Sequence, residues 1–152
     1  MEKKYPNSKK LEDVIYTDPE LNEEYEFPDF YVGEKIELYN KYSIGDIAFV
    51  SRYKYKDGKK GYNHLFVIVD KDNRVVPVDE FCMLISSKLD KLRYKSNVLL
   101  VKDNINNLKK DSIVKTDEIY EIKDVDIDKK IGKINIDVVD MYIKMYKGEY
   151  NE

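Results

Sequence analysis

Hydrophobic and polar residues alternate over short distances between positions 44 and 122, and this pattern predicts β-strands rather than long helices. Ile44–Tyr55 has the period-two pattern typical of a half-buried strand. One predicted face carries Ile47, Phe49, Tyr53 and Tyr55, and the other carries Ala48, Val50, Arg52, Lys54 and Lys56.

Several further strands follow. Asp57-Gly58 is a turn signal, and His64–Asp70 predicts a fully buried strand because apolar residues occupy both parities. After a turn at 71–73, Arg74–Val78 is predicted to pair back as a hairpin. A short strand is predicted at Phe81–Ser86, a further buried strand at Asn97–Val101, and one or two more strands at Ser112–Ile122.

One amphipathic helix is predicted near the C-terminus. Its apolar stripe, spaced i, i+3, i+4 and i+7, consists of Val139, Tyr142, Ile143 and Tyr146. Asp137 is the predicted N-cap and Gly148 the predicted C′ residue. Five to seven short strands and one terminal helix predict a mainly β domain, folded as a small, strongly bent β-barrel.

Charge divides the chain into three parts. Residues 1–42 hold six basic and eleven acidic residues, residues 43–115 hold fifteen and nine, and residues 116–152 hold six and ten. The first part also contains three of the four prolines. We interpret 1–42 as an acidic N-terminal extension and 43–152 as the folded domain. Although the net charge is −3, the basic middle can form a positive surface if it folds as one face.

Composition narrows the possible chemistry. The apolar runs are too short to cross a bilayer, and no signal-peptide pattern is present, so we expect a cytoplasmic protein. The single cysteine, Cys82, excludes an intramolecular disulfide and a multi-cysteine zinc site. No glycine-rich phosphate motif occurs. We therefore expect neither a metal nor another cofactor.

The single histidine is the first candidate for catalysis. His64 stands at the start of the most apolar strand, after a loop rich in glycine and lysine, where a group that titrates near neutrality could face a bound phosphate. Ser86 and Ser87 end another apolar run, and their hydroxyls could donate to a phosphate oxygen. The alternative is that His64 merely begins a strand and that the serines are a polar strand end.

A basic and aromatic segment, Ser51–Lys60, is the second candidate. It combines cations for phosphates with aromatic rings for unpaired bases, as recognition of single-stranded RNA requires. The cations are Arg52, Lys54, Lys56, Lys59 and Lys60, and the rings are Tyr53, Tyr55 and, just beyond, Tyr62. The alternative is a solvated hairpin whose lysines discourage strand pairing.

From Ile44 to the C-terminus, the chain resembles the MazF/PemK (Kid-like) toxins of bacterial type II toxin–antitoxin systems. The resemblance rests on an ordered series of segments: I-G-D-I-A-F-V at 44–50, N-H-L-F-V-I-V at 63–69, C-M-L-I-S-S at 82–87, L-K-K-D-S-I-V-K-T-D-E-I-Y-E-I at 108–122 and I-D-K-K-I-G-K-I at 127–134. It implies an SH3-like barrel, a homodimer and a cognate antitoxin. The implied activity is metal-independent cleavage of single-stranded mRNA by attack of a ribose 2′-OH on its own phosphate.

The resemblance also assigns candidate catalytic residues. Ser86 matches the family's Thr or Ser at a strand end, whereas His64 falls where the family has an arginine. One interpretation is that His64 works as the acid or base while Arg52 or Lys60 supplies permanent charge. The other is that the site has decayed and the barrel is a non-catalytic module that binds nucleic acid or a protein, for example within a mobile element. The acidic extension could lie near the basic groove and limit RNA access, in which case its deletion would raise RNA affinity.

Overall fold

A computed structural model describes residues 41–149, so nearly all of the acidic extension and its predicted effect on RNA access lie outside the described residues. The described part forms seven strands, one α-helix and two short 3₁₀ turns, at Leu89–Arg93 and Asp124–Asp126. The strands are β1 (Asp46–Lys54), β2 (Lys60–Asp72), β3 (Asp79–Ser86), β4 (Asn97–Leu100), β5 (Ser112–Lys115), β6 (Tyr120–Lys123) and β7 (Lys129–Lys133); the helix is α1 (Ile136–Tyr146).

All seven strands belong to one antiparallel sheet. Its order is β4-β5-β3-β2-β1-β7, and β6 follows β5 along the same edge of β3. The prediction of a mainly β domain with a C-terminal helix is confirmed. The sheet is not closed, however, because β4 and β7 are its two edges within residues 41–149. No helix of this part is long and apolar enough to span a membrane.

Apolar side chains cover both faces of the central strands, as predicted for His64–Asp70. On one face a cluster that includes Val67, Met83 and Val114 packs against Val139 and Tyr142 of α1. On the other face a second cluster includes Val50, Phe66, Cys82, Leu84 and Tyr120. Because β2 and β3 are buried on both sides, they form the rigid centre from which the candidate residues at the strand ends project.

The period-two assignment of β1 is wrong beyond Val50. Tyr53 packs in the same cluster as Val50, although the two residues have opposite parity. The change coincides with Asn63 on the paired strand, whose φ of 55° lies in the left-handed region. Tyr53 therefore lies in the second core cluster instead of on the face that Ile47 occupies.

Three further expectations need correction. Arg74–Val78 is a turn, and the returning strand begins at Asp79; Pro77 has no N–H for a ladder, and the neighbouring valines are buried inside the turn. The strand predicted at Asn97–Val101 is an edge strand with Leu99 exposed. The helix N-cap is Asn135, whose Oδ1 accepts the Asp137 N–H at 2.7 Å.

Glu80 and Cys82, both on β3, are fully buried in the middle of the sheet. Glu80 is 0% exposed, and neither of its carboxylate oxygens has a hydrogen-bond partner among the described residues. Burial, followed by the carboxylate of Asp124, raises the pKa of Glu80 to about 8, although Lys71 Nζ lies 3.8 Å from Oε2 and opposes the shift. Cys82 pairs with Ile68 in the sheet, and burial raises the pKa of its thiol well above the usual value.

Candidate catalytic site and nucleic-acid interface

Strands β2 and β3 bring His64 and Ser86 to the same end of the sheet. Leu65 pairs with Ile85, so the next residues outward, His64 and Ser86, lie opposite each other in the antiparallel register. Directly opposed residues project from the same face of a sheet. The two strongest candidates from the sequence are therefore neighbours in the fold.

Ser86 ends β3 half-buried, and its hydroxyl oxygen already has one partner. Ser86 Oγ accepts the backbone N–H of Lys88 at 3.2 Å, which closes a small turn after the strand. An oxygen that accepts this bond keeps its own hydrogen available for donation. Ser87 and Lys88 follow on the exposed surface, so a donor hydroxyl and an ammonium group adjoin the end of β3.

The surroundings of His64 favour its neutral form. Partial burial lowers its pKa from the ordinary value, and the positive charges of Lys88 and Lys115 lower it further, while the backbone of Tyr62 opposes the shift. These surroundings make the imidazole harder to protonate than a free one. A neutral imidazole beside two lysines can accept a proton from an incoming hydroxyl group.

Tyr53 connects His64 to the aromatic part of the second core cluster. Its hydroxyl lies 2.6 Å from His64 Nδ1 and 3.1 Å from the hydroxyl of Tyr55. Its ring makes edge contacts with Phe66 and Tyr120, at centroid distances of 5.0 and 5.8 Å, and is only 8% exposed. Tyr53 is thus held on several sides, and its ring is not open to a stacking base.

Gly61 is what allows the Tyr53 ring to occupy this position. The two residues pair across β1 and β2, and a Cβ on Gly61 would lie 2.2 Å from Cζ of Tyr53. Any larger residue would therefore push the ring aside. Gly61, which lies in the segment rich in glycine and lysine before His64, is therefore a packing requirement of the site.

The β1–β2 hairpin carries the predicted cations. Its five basic side chains, Arg52, Lys54, Lys56, Lys59 and Lys60, are all exposed. An exposed, weak ion pair joins Lys59 Nζ to Asp57 at 4.0 Å. Tyr55 is half-buried against the second core cluster, whereas Tyr62 is 56% exposed and presents an accessible ring.

A cavity of about 610 Å³ opens beside this hairpin. Its lining combines cations, rings and two acids: Arg52, Tyr53, Lys54, Lys60, Gly61, Tyr62, Glu121, Ile122 and Asp126. Arg52 therefore faces this cavity, whose lining does not include His64 or Ser86. Tyr53 connects the cavity to His64, since it belongs to the cavity lining and its hydroxyl contacts the imidazole.

Sequence reasoning missed the charges of Lys88 and Lys115 near His64 and the contact between Tyr53 and His64. Lys88 directly follows Ser87, so its position after a predicted strand end could have marked it as a charge near the candidate site. Lys115 is next to Val114, which pairs with Ile85, so only the strand register shows that it lies near His64. Within residues 41–149, no group of three or more His, Cys, Asp and Glu side chains is arranged to hold a metal ion.

Comparison with known protein families agrees with this fold. A family model described as the PemK-like, MazF-like toxin of type II toxin–antitoxin systems matches residues 44–142. The chain belongs to this family. No curated protein matches it. As a PemK/MazF-like toxin, the chain has an antitoxin as its implied partner, and the matched region spans all seven strands and most of α1.

Proposed function

We propose that this PemK/MazF-like toxin inhibits growth as an endoribonuclease that cuts single-stranded mRNA without a metal ion. The observation that carries the proposal is the opposition of His64 and Ser86 at one end of β2 and β3, beside Lys88 and Lys115. These side chains supply a base, a hydroxyl donor and positive charge, which are the groups that ribose 2′-OH transesterification needs.

In the proposed reaction, His64 takes the proton of a ribose 2′-OH. The 2′ oxygen forms a bond to the adjacent phosphorus, the bond from phosphorus to the 5′ oxygen breaks, and the leaving oxygen takes a proton from water. The products are a 2′,3′-cyclic phosphate and a 5′-hydroxyl end. Ser86 donates its hydroxyl hydrogen to a non-bridging oxygen, and Lys88 and Lys115 stabilise the negative charge that develops there.

The cavity at the hairpin is proposed to hold the RNA next to the cut. Arg52, Lys54 and Lys60 contact phosphates, while the exposed Tyr62 ring stacks on a base. Lys56, Lys59 and Ser87 extend the contact surface on either side. In this arrangement Arg52 supplies permanent charge to the RNA backbone rather than to the oxygen atoms beside His64.

The remaining parts of the proposal come from the family. We propose a homodimer that acts in the cytoplasm and is neutralised by its antitoxin. The homodimer would place two such sites on one particle, and the antitoxin would restrain both of them until it is removed.

A second candidate is a non-catalytic module that binds nucleic acid or a protein target. One observation favours it: histidine stands where the resemblance places an arginine, so a permanent charge is missing from that position. Such a module would still bind RNA in a salt-dependent manner through the hairpin cations.

Cleavage of a long single-stranded RNA in the presence of a chelator distinguishes the two. We expect defined cuts by the wild type and a loss of at least about 100-fold in the rate for His64→Ala and Ser86→Ala. A general base contributes about 10²–10⁴-fold, and a hydrogen-bond donor to the developing negative charge about 10²–10³-fold. Lys144→Gln removes a positive charge on α1, outside the proposed site, and should cut normally. Salt-dependent binding without cuts over a wide range of RNA sequences would instead establish the second candidate.

A further inference from the structure

The contact between Tyr53 and His64 carries an inference about how the ring is used. The Tyr53 hydroxyl lies 2.6 Å from Nδ1 and therefore occupies one of the two nitrogens of the ring. The other nitrogen, Nε2, is the one left to act on a substrate. Which nitrogen holds the hydrogen of the neutral ring decides whether His64 can accept a proton at Nε2.

The neighbour of Tyr53 gives its hydroxyl a second possible partner. A phenol hydroxyl has a single hydrogen, and the Tyr55 hydroxyl, 3.1 Å from that of Tyr53, is an alternative acceptor to His64 Nδ1. When Tyr53 donates to Tyr55, it can only accept from His64, so Nδ1 carries the hydrogen and Nε2 keeps a lone pair. This is the arrangement that a base acting through Nε2 requires.

We propose that Tyr53 is a positioning residue that holds neutral His64 in the tautomer protonated at Nδ1, so that Nε2 accepts the ribose proton. This inference rests on the proposed function of His64 as the base. Tyr53 does not contact the reacting atoms; it acts on them through the imidazole ring of His64. Its packing against Phe66 and Tyr120 and the fit against Gly61 keep the hydroxyl in place.

Groups on several elements face the ring and set its behaviour with pH. From β1 and the residue after it come the hydroxyls of Tyr53 and Tyr55, and from β2 comes the backbone of Tyr62. Lys88, after β3, and Lys115, in β5, add two positive charges. These charges favour the neutral ring, which is the form in which the two tautomers compete.

Nitrogen NMR of ¹⁵N-histidine-labelled protein, prepared without a histidine tag and without RNA, tests the tautomer directly. His64 is the only histidine, so its two nitrogen signals need no assignment by mutation. At pH 8 we expect the wild type to show a protonated Nδ1 and an unprotonated Nε2. A wild-type ring protonated at Nε2 would overturn the proposal.

Two variants make the test specific to the hydroxyl network. Tyr53→Phe keeps the ring and removes the acceptor, so the population should move toward the Nε2-protonated tautomer. Tyr55→Phe removes the acceptor of the Tyr53 hydrogen, which frees Tyr53 to donate to Nδ1, and should move the tautomer in the same direction. Tyr120→Phe, in the same aromatic cluster but bonded to Glu118, is the matched control and should leave the wild-type pattern. Unchanged nitrogen shifts in both Tyr53→Phe and Tyr55→Phe would also overturn the proposal.

RNA cleavage provides an independent readout. We expect Tyr53→Phe to lower kcat about five- to tenfold with little change in KM, as loss of one neutral hydrogen bond in the transition state predicts. A raised KM with unchanged kcat would show that Tyr53 serves binding, against the proposal. Because the NMR measurement uses no RNA, failure of His64→Ala to abolish cleavage would refute the proposed function separately from the tautomer.

Discussion

Glu80 gives the sharpest prediction about stability. Its side chain is fully buried, and the free carboxylate would have to be desolvated beside Asp124, with Lys71 Nζ 3.8 Å away as a counter-charge. The folded protein therefore keeps Glu80 protonated up to a pKa of about 8, whereas the unfolded chain releases that proton near the ordinary glutamate pKa of 4.5. Between these two pH values the folded state binds one more proton, so its stability falls as the pH rises.

The size of the effect follows from the shift in pKa. From 4.5 to about 8, at about 1.4 kcal/mol per pKa unit, the group contributes about 5 kcal/mol, which is fully present below pH 4.5 and lost by about pH 8. That is a large part of the ~5–15 kcal/mol by which a typical domain is stable. Glu80→Gln replaces the titrating group with a neutral one of similar shape, so we expect the difference in unfolding free energy between variant and wild type to grow in favour of the variant from pH 5 to pH 8.

Urea unfolding followed by far-UV circular dichroism, repeated at intervals from pH 5 to pH 8.5, measures this difference. Glu149→Gln makes the same chemical change at an exposed position and should follow the wild-type pH dependence. The reasoning is refuted if Glu80→Gln and the wild type lose stability in parallel across this range. A variant that is less stable by a constant amount would mean that packing, not protonation, governs the site.

Three further predictions concern the site and the helix. Gly61→Ala should destabilise the protein by about 1–3 kcal/mol, because its Cβ would displace the Tyr53 ring, and thermal unfolding would show it; an unchanged Tm would mean that the ring has room to move. Asn135→Ala should cost about 1 kcal/mol through loss of the N-cap of α1, measured by urea unfolding, whereas Asn104→Ala in an exposed loop should not. Lys88→Gln should raise the pKa of His64, seen in the NMR titration of its single imidazole, and shift the rising limb of the cleavage pH profile upward; a pKa that stays or falls contradicts the assigned charge effect.

The parts of the fold that could be predicted are those in which burial acts on a regular element. The apolar run at His64–Asp70 predicted a strand buried on both faces, and the i, i+3, i+4, i+7 stripe predicted α1. The remaining features depend on local backbone geometry, which the pattern of apolar and polar residues does not predict. The period-two pattern of β1 fails at Tyr53, which packs with Val50, and the valines at 75, 76 and 78 are buried in a turn where a strand was expected.

The candidate site also has features that could be predicted from the sequence and features that could not. His64 and Ser86 could be proposed from residue type and resemblance, and their opposition in the register follows from strands that were correctly located. The role inferred for Tyr53 could not be foreseen, because the period-two pattern placed Tyr53 on the face of Ile47 and Phe49 and not with Val50. Lys115 reaches the neighbourhood of His64 only through the pairing of β3 with β5, which a local pattern does not contain.

Cys82 has a practical consequence. It lies on the middle strand β3, hydrogen-bonded between β2 and β6, with no exposed surface and a thiol that stays protonated. A maleimide needs an accessible thiolate, so it can modify this cysteine only after the central strands separate. The labelling rate of the wild-type chain would then report how often the sheet opens. No engineered probe is needed, because the sequence contains no other thiol.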